Sequence, residues 1–185
     1  MSYVIKNDLI EQAKQVVSPN FNQRPDHKVI NAIVIHCISL PPENSNTQAV
    51  EQFFTNQLDF STHPYFQTIS HLKVSAHLLI SKAGEITQFV PFNLRAWHAG
   101  VSNLYGETDC NDFSIGIELE GRDDATFTPI QYQQLVACVK AMLITYPHIS
   151  RERIVGHSDI APGRKTDPGP RFDWGLFDKL LALKS

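Results

Sequence analysis

Residues 113–120 read Phe113-Ser114-Ile115-Gly116-Ile117-Glu118-Leu119-Glu120. Successive side chains of an extended strand point to opposite sides, so Phe113, Ile115, Ile117 and Leu119 form one apolar face. Ser114, Gly116, Glu118 and Glu120 form the other. One face is built to be covered, while the other carries two carboxylates beside a glycine, which leaves space against the backbone for a ligand. Glu118 and Glu120 are therefore both candidates to face a cleft.

Working outward, residues 29–36 (VINAIVIH) form a short β-branched run bounded by turn residues, as a buried strand should, with His36 closing it. Residues 74–81 and 85–90 flank Lys82-Ala83-Gly84 and read as a β-hairpin in which Gly84 supplies the positive φ. Arg153-Ile154-Val155 is a short strand ending at Gly156-His157. Between these lie helical patterns. Leu9, Ile10, Ala13, Val16 and Val17 predict an opening helix stopped at Ser18-Pro19-Asn20, and Ala49, Val50, Phe53 and Phe54 predict a second, capped from within residues 44–47. Thr128-Pro129-Ile130-Gln131 combines a capping box with proline at the first helical position, ahead of a long helix faced by Leu135, Val136, Val139, Met142, Leu143 and Tyr146. Asp173 caps a final helix with Leu176, Phe177, Leu180 and Leu181 inward. Strands and helices alternate, so the expected class is α/β: a central mixed β-sheet flanked by helices.

The chain has 185 residues, 16 Lys+Arg against 19 Asp+Glu and a formal charge of -3; 42% of residues are hydrophobic and 19% charged. A chain of this size buries roughly 70% of its unfolded surface, enough for a core without staples. No repeat or linker divides it, and one domain spanning 1–185 is expected. The charge balance and the absence of any basic cluster beyond Arg164-Lys165 argue against a nucleic-acid partner. Cys37, Cys110 and Cys138 are too scattered for a disulfide framework. Lys6, Asp8, Glu11 and Lys14 interrupt what a signal peptide would need, and no apolar run reaches the roughly 18 residues of a membrane span. A cytoplasmic monomer, away from membranes, is the expectation.

His36 and His157 each end a predicted strand, where an imidazole is held rigidly, and His77 lies inside one. Ten residues beyond His157, Asp167 sits in a loop stiffened by Pro162, Pro168 and Pro170. Two histidines and one carboxylate form a usual three-ligand set for catalytic zinc, with the fourth position left to water. Asp159 competes as the carboxylate but lies only two residues from His157, whereas the Asp167 loop can fold back. A carboxylate such as Glu118 beside the metal can take a proton from attacking water, and a cation such as Lys165 can hold the oxyanion formed at a carbonyl. Residues 95–100 (RAWHAG) bring Trp97 and His98 together on a loop, where the indole suits a sugar ring. With Lys73 and His77 they complete the expected substrate-contacting set. Gly163-Arg164-Lys165-Thr166 lacks the glycine spacing of a phosphate loop. Cys37, alternating away from His36, reads as a core residue.

The stretches 33–42 (IVIHCISLPP), 63–66 (HPYF), 74–80 (VSAHLLI), RAWHAG, 110–121 (CNDFSIGIELEG), GHSDIAP and 163–174 (GRKTDPGPRFDW) together resemble the zinc-dependent N-acetylmuramoyl-L-alanine amidases of the amidase-2 type, related in fold to peptidoglycan-recognition proteins and phage T7-like lysozyme. The long last motifs are similar to those of the cytoplasmic branch that acts on 1,6-anhydromuropeptides in cell-wall recycling. The resemblance implies one zinc ion held by His36, His157 and Asp167, Glu118 as general base, and Lys165 as the oxyanion-stabilising cation. It also implies hydrolysis of the amide joining 1,6-anhydro-N-acetylmuramic acid to the L-alanine of a stem peptide. Three positions depart from the pattern: Cys37 replaces an asparagine, while Lys73 and Asp109 replace arginines that help hold the peptide's carboxylates. Lys73 keeps the charge but not the planar fork, and Asp109 reverses the charge. The competing expectations are an amidase of intact peptidoglycan, a non-catalytic muropeptide-binding module, and a closed structural zinc site using His77 or Asp159 as a fourth ligand.

Overall fold

The computed structural model describes residues 2–44 and 46–183. Its centre is a six-stranded mixed sheet built from β1 (Lys14–Gln15), β2 (Ala32–Ile38), β3 (Leu78–Ile80), β4 (Ile86–Gln88), β5 (Ser114–Glu120) and β6 (Ile154–Gly156). The spatial order is β6-β2-β5-β3-β4-β1. The strand quoted above is thus the interior β5, parallel to β2 along its whole length and parallel to β3 on its other side. All seven of its residues are buried: the helices Pro129–Thr145 and Trp174–Ala182 cover the apolar face, and the His98 ring lies over Gly116 on the other.

The helices are α1 (Thr47–Phe54), α2 (Pro64–Ile69), α3 (Pro129–Thr145), α4 (His157–Ile160) and α5 (Trp174–Ala182). On one face Ile33, Ile35, Leu78, Ile80, Ile115, Ile117, Leu119 and Ile154 pack against Leu135, Val139 and Met142 of α3 and Phe177 of α5. The other face carries two separate apolar patches. Leu79 packs with Ala49, Val50, Phe53 and Phe54 of α1. Ala32, Val34 and Val155 pack with Ala99, Cys110 and Phe113. The polar residues of β5 emerge in the gap between them.

Local chemistry sets the elements. The Asn46 side chain accepts from the amides of Gln48 and Ala49 to start α1, and Thr128 with Gln131 forms the expected capping box of α3. The Asp173 carboxylate accepts from the Leu176 amide to open α5. Ile80 pairs with Ile86 in an antiparallel hairpin, and Gly84 holds φ +84° at its turn.

The opening helix is not formed. Residues 5–6 and 9–10 instead make a two-stranded antiparallel ribbon. Asn7 and Asp8, both at positive φ (51° and 61°), form its two-residue turn, a geometry that Asn and Asp tolerate and a helix does not. Ile10 and Ala13 still reach the core, but Val17, expected on the same apolar face, is exposed, so the spacing marked burial only in part and the element wrongly. The second strand runs two residues past His36, to Ile38, so His36 is flanked by pairing on both sides. His157 is the first residue of α4. The short α2, capped by the His63 ring accepting from the Tyr65 amide, carried no sequence expectation.

Candidate metal centre and cleft

β2 and β5 are in parallel register with His36 opposite Glu118, so the two side chains stand together on the face with the gap. β6 lies beside β2, and α4 begins where β6 ends, placing His157 next to His36. The Asp167 loop folds back as expected: the Ser158 amide donates to the Asp167 carbonyl at 2.9 Å. The result is a triangle of donor atoms. Nδ1 of His36 and Nδ1 of His157 are 2.9 Å apart, and Oδ2 of Asp167 is 3.1 Å from each. Among the described residues, these three form the group of His, Cys, Asp and Glu side chains able to hold a metal ion. Asp159 is not part of it, because its carboxylate turns back to accept from the Gly156 amide at 2.7 Å.

The donors suit a cation. His157 donates its Nε2 proton to the Ala99 carbonyl at 3.0 Å, which leaves a lone pair at Nδ1. Burial keeps His36 neutral, its pKa lowered to about 4. Lone pairs and negative charge converge on one point, and a cation is what such convergence accepts.

Glu118 lines the same cleft. Its Oε2 is the one buried side-chain polar atom without a partner among the described residues. Burial first, and then the Asp167 charge, push its pKa well above the ordinary value, partly offset by Lys165. An unpaired carboxyl with a raised pKa, facing a cleft, is a candidate proton acceptor and donor. Glu120, on the same side of the strand, is excluded from the cleft: it accepts from the Thr47 hydroxyl and the Lys82 amide, tying α1 to the hairpin. The cleft, about 260 Å³, is lined by the buried His36, Glu118 and His157, by the exposed Lys165, and by Phe53, Tyr65, Leu72 and Val74 along an apolar wall. A more open groove of about 520 Å³ continues past Lys165 and Asp167 toward Arg122, Asp123 and Arg164. Cys37 borders both, but burial, Glu118 and Asp167 push its thiol far up, which makes it a poor nucleophile or ligand.

The expected substrate-contacting residues divide. Trp97 lines the cleft, and its indole N–H donates to Asn22 at 2.7 Å, which fixes the ring. His98 also lines the cleft, but both of its ring nitrogens are engaged, one with His36 and one with Ser114. His77 is corrected: it is fully buried. The Gly116 amide donates to its Nδ1 and its Nε2 donates to the Leu94 carbonyl, so it braces the core. It is not a fourth member of the donor group. Lys73 is exposed on the loop before β3, next to Leu72 and Val74 of the cleft wall. The space expected above Gly116 is filled by the His98 ring. Sequence reading overlooked Asn111, Ser114 and Arg164. The Asn111 side chain accepts from the amides of His98 and Ala99, and Arg164 donates to the carbonyls of Ala99 and Val101. The stretches 110–114 (CNDFS) and 163–165 (GRK) held these residues, but nothing in spacing disclosed their targets.

A mixed sheet with a His–His–Asp group able to hold a metal ion and an unpaired glutamate in the same cleft carries the parts of a hydrolase, and residues 25–170 match the N-acetylmuramoyl-L-alanine amidase family (Amidase_2), to which this chain belongs. It is an amidase. The chain is 51% identical over 173 residues to the 1,6-anhydro-N-acetylmuramyl-L-alanine amidase AmpD of Escherichia coli K12, covering 94% of each. It superposes on a crystal structure of an AmpD selenomethionine derivative with a TM-score of 0.93, at 49% identity, covering 96% of this chain and 99% of that one. AmpDh3 of Pseudomonas aeruginosa, solved in complex with anhydromuramic pentapeptide, matches at 30% identity and TM-score 0.60, covering 82% of this chain and 59% of that one. No helix among the described residues is long and apolar enough to cross a membrane.

Proposed function

We propose that this chain is a single-domain, zinc-dependent, cytoplasmic amidase of wall recycling that acts as a monomer. It hydrolyses the amide between 1,6-anhydro-N-acetylmuramic acid and the L-alanine of a stem peptide. The observation that carries this reading is the convergence of three metal-donor atoms beside a buried, unpaired Glu118 in one cleft. The likeness to AmpD supports the choice of substrate. His36, His157 and Asp167 would hold the ion. Ligands of tetrahedral zinc at about 2.0–2.1 Å stand roughly 3.3–3.4 Å apart, and the donors here, 2.9–3.1 Å apart, need to part by only a few tenths of an ångström. When bound, zinc supplies Lewis acidity and lowers the pKa of water.

The protein's own residues do the remainder. Glu118 takes a proton from the water as its oxygen bonds to the amide carbon, and its raised pKa lets it keep that proton. Lys165, at the cleft rim, balances the negative charge that develops on the carbonyl oxygen. As the C–N bond breaks, Glu118 returns the proton to the departing L-alanine nitrogen, leaving a free peptide amine and a lactyl carboxylic acid, which then releases its proton to solvent. The apolar wall and the anchored Trp97 ring suit the sugar and its lactyl methyl group.

The test is mass spectrometry of products from anhydro-N-acetylmuramoyl-tripeptide and its non-anhydro counterpart, with and without a chelator. Chelator-sensitive release of tripeptide chiefly from the anhydro sugar is expected. Equal cleavage of both would assign a general wall amidase, and no cleavage of either with zinc present would leave a binding module.

A further inference from the structure

We propose that His98 is a positioning residue. It accepts the Nε2 proton of His36 and thereby fixes the tautomer in which His36 turns its Nδ1 lone pair toward His157 and Asp167. The inference rests on the metal centre proposed above.

The hydrogen-bond directions follow from a fixed end. A carbonyl only accepts, so the single hydroxyl proton of Ser114 goes to the Cys110 carbonyl, 2.5 Å away. Ser114 Oγ must then accept at its second contact, and His98 Nε2, 3.2 Å away, donates. With its proton on Nε2, neutral His98 presents a lone pair at Nδ1. That atom lies 2.9 Å from His36 Nε2, so His36 donates there and is left with a lone pair at Nδ1. The relay Cys110–Ser114–His98–His36 therefore sets His36 from outside the donor group, just as the Ala99 carbonyl sets His157.

The two devices are one structural unit. His98 and Ala99 are adjacent, and their amides both donate to the buried Asn111 Oδ1, at 3.0 and 2.8 Å. A single carboxamide thus holds the segment that orients both imidazoles. Gly116 completes it: a Cβ there would stand 2.4 Å from His98 Cγ, so the ring lies flush on the β5 backbone and has one place to be. Outer partners of ligating histidines fix ring orientation and raise ligand basicity, and their loss typically costs about 10–100-fold in metal affinity.

The experiment compares zinc affinity, by chelator competition, for the native protein and three variants whose folding is checked by circular dichroism. Asn places its side-chain oxygen where Nδ1 stood, so His98→Asn keeps the acceptor for His36 and most of the affinity. His98→Gln reproduces only the side facing Ser114, and His98→Phe neither; both are expected to weaken zinc binding about 10–100-fold. Equal affinity in native and His98→Phe, or no advantage of Asn over Gln, would overturn the assignment. Native protein that binds no zinc would instead remove the metal centre, and the assignment with it. Nitrogen-15 shifts of His36 in the native protein before zinc is added give a readout that needs no substitution. A protonated Nε2 agrees with the relay, and a protonated Nδ1 contradicts it.

Discussion

Gly116→Ala places one methyl group where the structure has no room for it. The ideal Cβ would lie 2.4, 2.6 and 2.7 Å from Cγ, Nδ1 and Cδ2 of His98, well inside van der Waals contact. The ring cannot swing aside at low cost, because Nε2 is bonded to Ser114 and Nδ1 to His36, nor can the interior strand β5 move, being paired on both sides. Overpacking of a tight core costs about 1–3 kcal/mol, which for a chain of this length lowers the melting temperature by about 2–12 °C. Differential scanning calorimetry of the zinc-free proteins measures it. Removing the ring with His98→Ala in the same chain should recover much of the loss, because the two sites share one volume, with a coupling of about 0.5–3 kcal/mol. A Gly116→Ala melting point within about 1 °C of native would refute the packing argument, and so would a double variant whose losses simply add.

Three further outcomes follow from the geometry. Glu118→Gln keeps zinc by elemental analysis and does not lower the melting temperature, since the carboxyl it replaces is buried and unpaired, yet kcat falls about 10²–10⁴-fold. Glu107 is drawn below its ordinary pKa of 4.5: burial would raise it, but the contacts with Lys28 and Arg153 outweigh burial. The stability it adds is fully present above pH 4.5 and is lost as pH falls through its lowered folded value. Urea titrations should therefore find Glu107→Gln weaker at pH 7 by no more than about 1 kcal/mol, the gap closing in acid. Saturating zinc at about 100 times its Kd stabilises the native fold by about 2.7 kcal/mol, and a melting temperature indifferent to chelator would deny a site formed only in the folded state.

Periodicity and caps carried much of the architecture. The alternation in 113–120, the Thr128–Gln131 capping box, Asp173 and the Gly84 turn each act through neighbours in sequence, so they could be read there. The opening segment failed because Ile10 and Ala13 reach the core without a helix while Val17 stays exposed; the deciding signal was the Asn7-Asp8 pair. For the site, residue types and loop stiffness picked out His36, His157 and Asp167, which the fold brings together. Strand alternation gave Glu118 and Glu120 the same side but not their surroundings. Only the packing of α1 and the hairpin takes Glu120 away. His77, in a predicted strand, and His98, on a predicted loop, were both expected to contact substrate, and what separates their roles is tertiary: one is closed inside the core, the other touches a donor histidine.

The central claim is that His36, His157 and Asp167 hold the ion on which hydrolysis depends. Zinc content and turnover of an anhydromuropeptide, measured on the same preparations of native protein and Asp167→Ala, test it most directly. One zinc per native chain, with zinc and activity lost together in Asp167→Ala, is the expected result. Turnover by Asp167→Ala at the native rate, or by native protein stripped of metal, would contradict it.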